Sequence, residues 1–170
     1  MRIGIDGLPL TEQLTGIGHY TIELAYHLAL ASPADEIEIV SPRAFLPALH
    51  SRHEHPANLA VVRSRVSLLT RHWWSIGLPR YLRHNLIDLF HGTNFEVPLR
   101  KVCPTVLTVH DLSMLLHSET HEAKRVRRAR RRLPLMARAA TMIITPTESV
   151  RREVHEHLQI PLGSIVAVHE

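Results

Sequence analysis

Short apolar runs alternate along this chain with longer segments whose apolar residues recur every three or four positions. Arg2 to Asp6 (RIGID) carries Ile3 and Ile5 and is closed by Gly7 and Pro9, the pattern of a first strand. After the loop from Leu8 to Thr15 comes Gly16-Ile17-Gly18, and from there Tyr20, Leu24, Ala25 and Leu28 follow helical spacing up to Ser32-Pro33. Ile37, Ile39 and Val40 predict a second strand, and Leu59 with Ala60 to Val62 a third. Leu68 to Leu86 reads as helical, broken or kinked by Gly77 and Pro79.

Leu86 to His91 (LIDLFH) and Thr105 to His110 (TVLTVH) are short and mostly apolar, as strands covered on both faces must be. Thr120 to Leu133 predicts a helix that Pro134 kinks and Ala137 to Ala140 completes. Met142 to Thr145, Thr147 to Leu158 and Ile165 to Val168 then predict strand, helix and strand. Strands alternating with helices at this spacing define an α/β domain with a largely parallel sheet.

Ligands on such a sheet meet the carboxyl ends of the strands, which selects four loops: Gly7 to Gly18, His91 to Asn94, His110 to Ser113 and Pro146 to Ser149. Gly16 and Gly18 open a helix, where free backbone N–H groups favour an anion; the same pair also suits a plain tight turn. The dinucleotide fingerprint fails, since no third glycine follows and Val40-Ser41 stands where an acidic residue would. His91 and His110 each put an imidazole at a strand end, able to bind a hydroxyl or to move a proton, or simply to be satisfied by the fold. Asp111 either orients a histidine or caps its turn.

Composition narrows this further. The chain has 170 residues, 45% hydrophobic and 21% charged, an ordinary globular balance that excludes disordered and disulfide-scaffold classes. One cysteine, Cys103, forms no internal bridge, so a reducing cytoplasm is the expected compartment. No apolar run reaches the roughly 18 residues of a membrane span, and Met1-Arg2 leads into a strand instead of a signal peptide, so any membrane contact is expected to be peripheral. Fourteen histidines suggest metal only by number: His53 with His55, and His155 with His157, lack a thiolate pair or HExxH, and no metal site is expected.

The net charge of +4 is concentrated. Lys124 to Arg132 (KRVRRARRR) holds seven cations, whereas the other 161 residues carry 13 cations against 16 anions. On a helix, Val126, Ala129 and Leu133 form an apolar seam, while Lys124, Arg125, Arg127, Arg128, Arg131 and Arg132 spread over about 160° opposite it. Seven like-charge pairs at helical spacing cost on the order of 1.5 to 3.5 kcal/mol before screening. Solvent, an anionic membrane or lipid phosphate, or a nucleic acid would each relieve that repulsion. Nucleic acid fits worst, because no aromatic residue interleaves with the strip.

Taken in order, Ile3-Gly4-Ile5-Asp6, Gly16 to Tyr20 (GIGHY), Trp73-Trp74 with Leu78-Pro79, Asp88 to Asn94 (DLFHGTN), Pro104 to Leu112 (PTVLTVHDL) and Ile143 to Val150 (IITPTESV) resemble the N-terminal domain of family 4 glycosyltransferases. The resemblance implies a Rossmann-like half of a GT-B enzyme, transferring a sugar from a nucleotide-sugar to a saccharide or lipid-linked acceptor with retention and without a metal or other cofactor. It implies that Gly16 and Gly18 approach the donor diphosphate and that His110 contacts the transferred sugar, with Asp111 as its catalytic neighbour. Tyr20, His91, Thr93, Asn94, Thr147 and Glu148 complete the candidate substrate site. The basic strip would meet an anionic membrane or acceptor, on the inner face of the membrane. Residues 1–170 are expected to form one such domain, with the nucleotide-binding half absent from the chain. That leaves an excised domain, a truncated product or half of a split enzyme. The competing reading is a non-catalytic α/β module that docks on an anionic partner through residues 124–132.

Overall fold

The computed structural model describes residues 1–46, 56–65 and 72–169. His53, His55 and the start of the helix expected at Leu68 lie outside the described residues. Seven strands, β1 (Arg2–Asp6), β2 (Glu36–Ser41), β3 (Leu59–Arg63), β4 (Leu89–Gly92), β5 (Thr105–Thr108), β6 (Met142–Thr145) and β7 (Ile165–Ala167), form one sheet in the order β3-β2-β1-β4-β5-β6-β7. Every pairing is parallel. This is the Rossmann-like arrangement, and the order reverses between β1 and β4, where a crevice opens at the strands' carboxyl ends.

Strand parity explains the two covered faces. Ile3 and Ile5 of β1 pack with Ala25 and Ala29 of α1 (Gly16–Ala31) and with Ile37 and Ile39 of β2. Gly4 points the other way, where a side chain would meet Leu82, Ile87 and Phe90 at 3.3 to 3.7 Å. That opposite layer is α2 (Leu78–His84), with Val40, Trp73, Leu78, Leu82 and Phe90 as its core. Beyond β5, Leu107, Val109, Ile143 and Ile165 bury against α4 (Ala123–Ala139) and α5 (Glu148–Leu158).

Several boundaries differ from expectation for local reasons. Trp73–Gly77 form a π-helical turn, and Pro79 falls within the first residues of α2, where it lacks no needed donor and starts a helix instead of breaking one. Leu86 adopts a left-handed backbone (φ 52°), so the apolar run from Leu86 is divided and β4 begins only at Leu89. Pro134 lies inside α4 as one continuous helix; its missing N–H is tolerated because Leu133, Met136 and Ala137 anchor both sides of it in the core. A short helix, α3 (Ser113–Leu116), follows β5, and none was expected there. No helix among the described residues is long and apolar enough to cross a membrane.

Candidate functional site

At the switch point a cleft of about 630 Å³ is walled by the ends of β1 and β4, the start of α1, α3 and one edge of α4. Its lining includes Asp6, Thr15, Ile17, Asn94, Glu96 and Asp111, with Arg125, Arg128 and Arg132 opposite. Of the residues expected at this mouth, Asn94 and Asp111 stand in the wall itself.

His110 is held just beside that wall. Its Nε2 lies 2.9 Å from the Thr93 carbonyl, which can only accept, so Nε2 carries the proton and Nδ1 the lone pair in the neutral ring. The edges of Tyr20 and Phe95 fix the ring plane, with centroids at 5.0 and 6.0 Å and interplanar angles of 89° and 74°. Behind it, Thr108 Oγ1 receives two neighbours, His91 Nε2 at 2.8 Å and the Tyr20 hydroxyl at 3.1 Å. His91 is buried, and burial together with the neighbouring His110 holds its pKa down at about 4, so it stays neutral and supports the site from below.

Other expected contacts resolve into architecture. Thr93 is fully buried, its Oγ1 2.9 Å from Thr21 Oγ1 and 3.4 Å from the Asp6 carbonyl, so the hydroxyl ties β4 to α1 and β1. Gly16 has open space at its Cα, whereas a side chain on Gly18 would meet Leu14 at 2.9 Å and the Pro9 carbonyl at 3.1 Å. Gly18 thus serves close packing of the 9–14 loop, and the open approach along this turn is at Gly16. Thr147 accepts from the Val150 N–H at 3.2 Å as the N-cap of α5, and Glu148 pairs with Arg151 at 2.8 Å. Neither of these two lines the cleft. Asp111 Oδ1 accepts from the Ser113 N–H at 2.8 Å, a side-chain turn that leads the chain into α3 while the residue lines the cleft.

The cationic strip forms the expected face: Lys124, Arg125, Arg127, Arg128, Arg131 and Arg132 line one open groove of about 610 Å³ together with Glu122. Arg128 and Arg132 turn to the cleft and converge on Glu96 Oε1, at 2.7 and 3.1 Å. Arg125 lies on the same edge, 3.5 Å from Glu122. Lys124, Arg127 and Arg131 occupy the outer part of the arc, where no carboxylate among the described residues pairs with them. The expected cationic face is thus present, with one edge (Arg125, Arg128 and Arg132) that also lines the cleft and an outer row that does not.

Two acidic residues that motif reading left out complete the site. Asp6, at the end of β1, is 1% exposed and accepts the Leu8 N–H at 3.1 Å. Burial raises its pKa to about 7; the Leu8 hydrogen bond opposes this and the charge of Glu96 adds to it. Glu96 is fixed by a tight return of the chain: a side chain on Gly92 would come within 2.0 Å of the Glu96 carbonyl oxygen, so only glycine fits, and Phe95 is left-handed at φ 57°. An acidic residue ending a buried strand was the available signal for Asp6. Nothing local marked Glu96, whose partners lie 32 and 36 residues away.

A Rossmann-like sheet whose switch-point cleft joins a helix N-terminus, an oriented imidazole and acidic and arginine side chains belongs with proteins that act on phosphorylated or hydroxylated small molecules. The sequence profile of glycosyltransferase family 4 matches residues 14–170, and the chain belongs to that family. It is 29% identical over 178 residues to O-antigen chain mannosyltransferase B of Escherichia coli, covering 98% of this chain and 46% of that protein. Among solved structures, the fold matches the lipopolysaccharide outer core galactosyltransferase WaaB (TM-score 0.60, 10% identity, 100% of this chain and 46% of that one). It also matches Anabaena HepE in complex with UDP and glucose (TM-score 0.56, 16% identity, 99% and 44%). The chain thus spans about half the length of the curated relative and of these structures.

Proposed function

We propose that this chain is the acceptor-side half of a retaining glycosyltransferase that moves a hexose from a nucleotide-sugar to a saccharide or lipid-linked acceptor. The carrying observation is the oriented His110 at the mouth of the switch-point cleft, with the exposed Gly16 end of α1 beside the same cleft. Family membership over residues 14–170 supports the class of reaction, and the mannosyltransferase relative, with the similarly folded structure that holds UDP and glucose, supports the class of donor. The donor would be held mainly by a second, nucleotide-binding half, and the reaction would need no metal or other cofactor. The chemistry asked of this half is to seat the acceptor hydroxyl and to stabilise charge as the diphosphate leaves.

The test is a radiolabelled donor panel (UDP- and GDP-hexoses) with membrane-extracted and soluble acceptors. Residues 1–170 alone should give no turnover, and the same residues joined to a nucleotide-binding half should transfer sugar. Robust turnover by residues 1–170 alone would overturn the assignment of halves; no transfer by the joined chain with any donor would overturn the function.

The outer row of α4 favours a second role, peripheral docking on the cytoplasmic membrane face. At about 1 kcal/mol per basic residue near an anionic surface, Lys124, Arg127 and Arg131 together contribute about 3 kcal/mol. Sedimentation with phosphatidylglycerol vesicles at low salt should therefore show binding that falls about 100-fold when all three are replaced by Gln. Equal binding to neutral vesicles, or no loss in the triple variant, would refute the docking role and leave the row as a solvated face.

A further inference from the structure

Beside the main cleft runs a second groove of about 340 Å³, lined by Leu8, Pro42, Arg43, Trp73, Trp74, Leu99, Arg128 and Arg132 among others. Leu8, Trp74, Arg128 and Arg132 belong to both cavities, so the arginine pair sits at their junction. The two guanidinium groups converge on a single carboxylate oxygen, Glu96 Oε1, from residues one helical turn apart on α4. Two guanidinium groups gathered on one carboxylate oxygen make a concentrated cationic point that an anion with more oxygens can engage more fully.

Glu96 fills this position incompletely. Arg132 Nε lies 3.1 Å from Glu96 Oε1, an ion pair not aligned as a hydrogen bond, and this buried N–H has no hydrogen-bond acceptor among the described residues. Trp73, a residue 4% exposed that lines the adjoining groove, buries its indole Nε1 without an acceptor among the described residues. Buried donors left under-satisfied are costly, so Arg132 at the junction, with the Trp73 indole in the groove beside it, marks a place that a group offering more acceptor oxygens would satisfy better. Arg43, also in the groove lining, is ion-paired at 2.8 Å with the exposed Glu12.

We propose that Arg128 and Arg132 form a seat for the phosphate or diphosphate group of an acceptor, and that Glu96 occupies this seat when the acceptor is absent. A tetrahedral phosphate offers several oxygens where Glu96 offers one, and so can satisfy the arginine fork more fully. The indoles of Trp73 and Trp74 with Leu8, Pro42 and Leu99 then supply an apolar wall for the ester's carbon chain. Phosphate chemistry could arrive on the acceptor or on the nucleotide donor; the apolar wall points to the acceptor. This rests on the cleft being the acceptor side, but concerns binding by this chain alone, so it can fail while sugar transfer stands, and the reverse.

The experiment is isothermal titration of residues 1–170 at low salt with inorganic diphosphate, geranyl diphosphate and UDP. Replacing Arg128 and Arg132 together by Gln should weaken diphosphate binding at least about tenfold. Glu96→Gln should act in the opposite direction and tighten it about threefold or more, because the seat loses its occupant. The paired change Arg127→Gln and Arg131→Gln removes the same charge from the outer row and should alter affinity by less than about threefold. Equal losses in the two double variants would show general attraction to a basic helix and overturn the seat. Unchanged or weaker binding by Glu96→Gln would overturn its role as occupant. Geranyl diphosphate should bind more tightly than inorganic diphosphate, and tighter binding of UDP than of geranyl diphosphate would overturn the acceptor assignment.

Discussion

Replacing His110 by Ala is expected to lower kcat of the joined, two-half enzyme by about 100- to 1,000-fold, the usual loss when one preorganised polar contact to the reacting region is removed. The expectation rests on how completely the ring is placed. The Thr93 carbonyl accepts a hydrogen bond from Nε2–H, Tyr20 and Phe95 hold the ring plane, and the buried neutral His91 puts no positive charge behind it. A ring held this way keeps one orientation beside the cleft and need not reorganise during the reaction. The measurement is kcat per folded molecule, with the urea midpoint taken in parallel. Loss of stability with kcat within about threefold of the parent would make His110 a structural residue and move the chemistry elsewhere.

Much of this site was legible from the chain alone, and the parts that were not share a cause. Period-two and period-3.6 patterns report which face of an element is buried, so the strand ends that frame the cleft, and with them His91, Asn94, His110 and Asp111, fell in the loops selected beforehand. What periodicity does not report is where a polar atom finds its partner. Thr93 looks available in HGTN, yet its hydroxyl meets Thr21, 72 residues away. Arg128 and Arg132 share a helical arc with Arg127 and Arg131, and only the tertiary return through Gly92 brings Glu96 to one pair and not the other. Which arginines of that cationic face pair with a carboxylate could not be read from a helical wheel, because Glu96 belongs to another element. Thr147 and Glu148 show the converse: an N-cap and its first-turn acid are ordinary helix-start chemistry, and in the fold they serve α5.

Asp6 yields the largest expected effect on stability. Its carboxyl is held near pH 7 in the folded protein against an ordinary value of 3.8, so between about pH 4 and 7 the folded state binds more protons than the unfolded state. Stability is fully present below the unfolded pKa and declines as pH rises, by about 1.4 kcal/mol per unit, on the order of 4 kcal/mol by the time the folded group ionises. Asp6→Asn keeps an oxygen to accept the Leu8 N–H and removes the titration. Groups common to both proteins cancel in the difference between them, which isolates Asp6. Urea unfolding should place the Asn variant close to the parent at about pH 4 and more stable than it at pH 8. The gap should open through the window set by the burial of this carboxyl and by the negative charge of Glu96 nearby. A constant difference across that range would mean that Asp6 ionises in the folded protein as easily as in the unfolded chain. The floor of the cleft would then already carry a full negative charge at neutral pH, and the phosphate seat across from Asp6 would have to work against it.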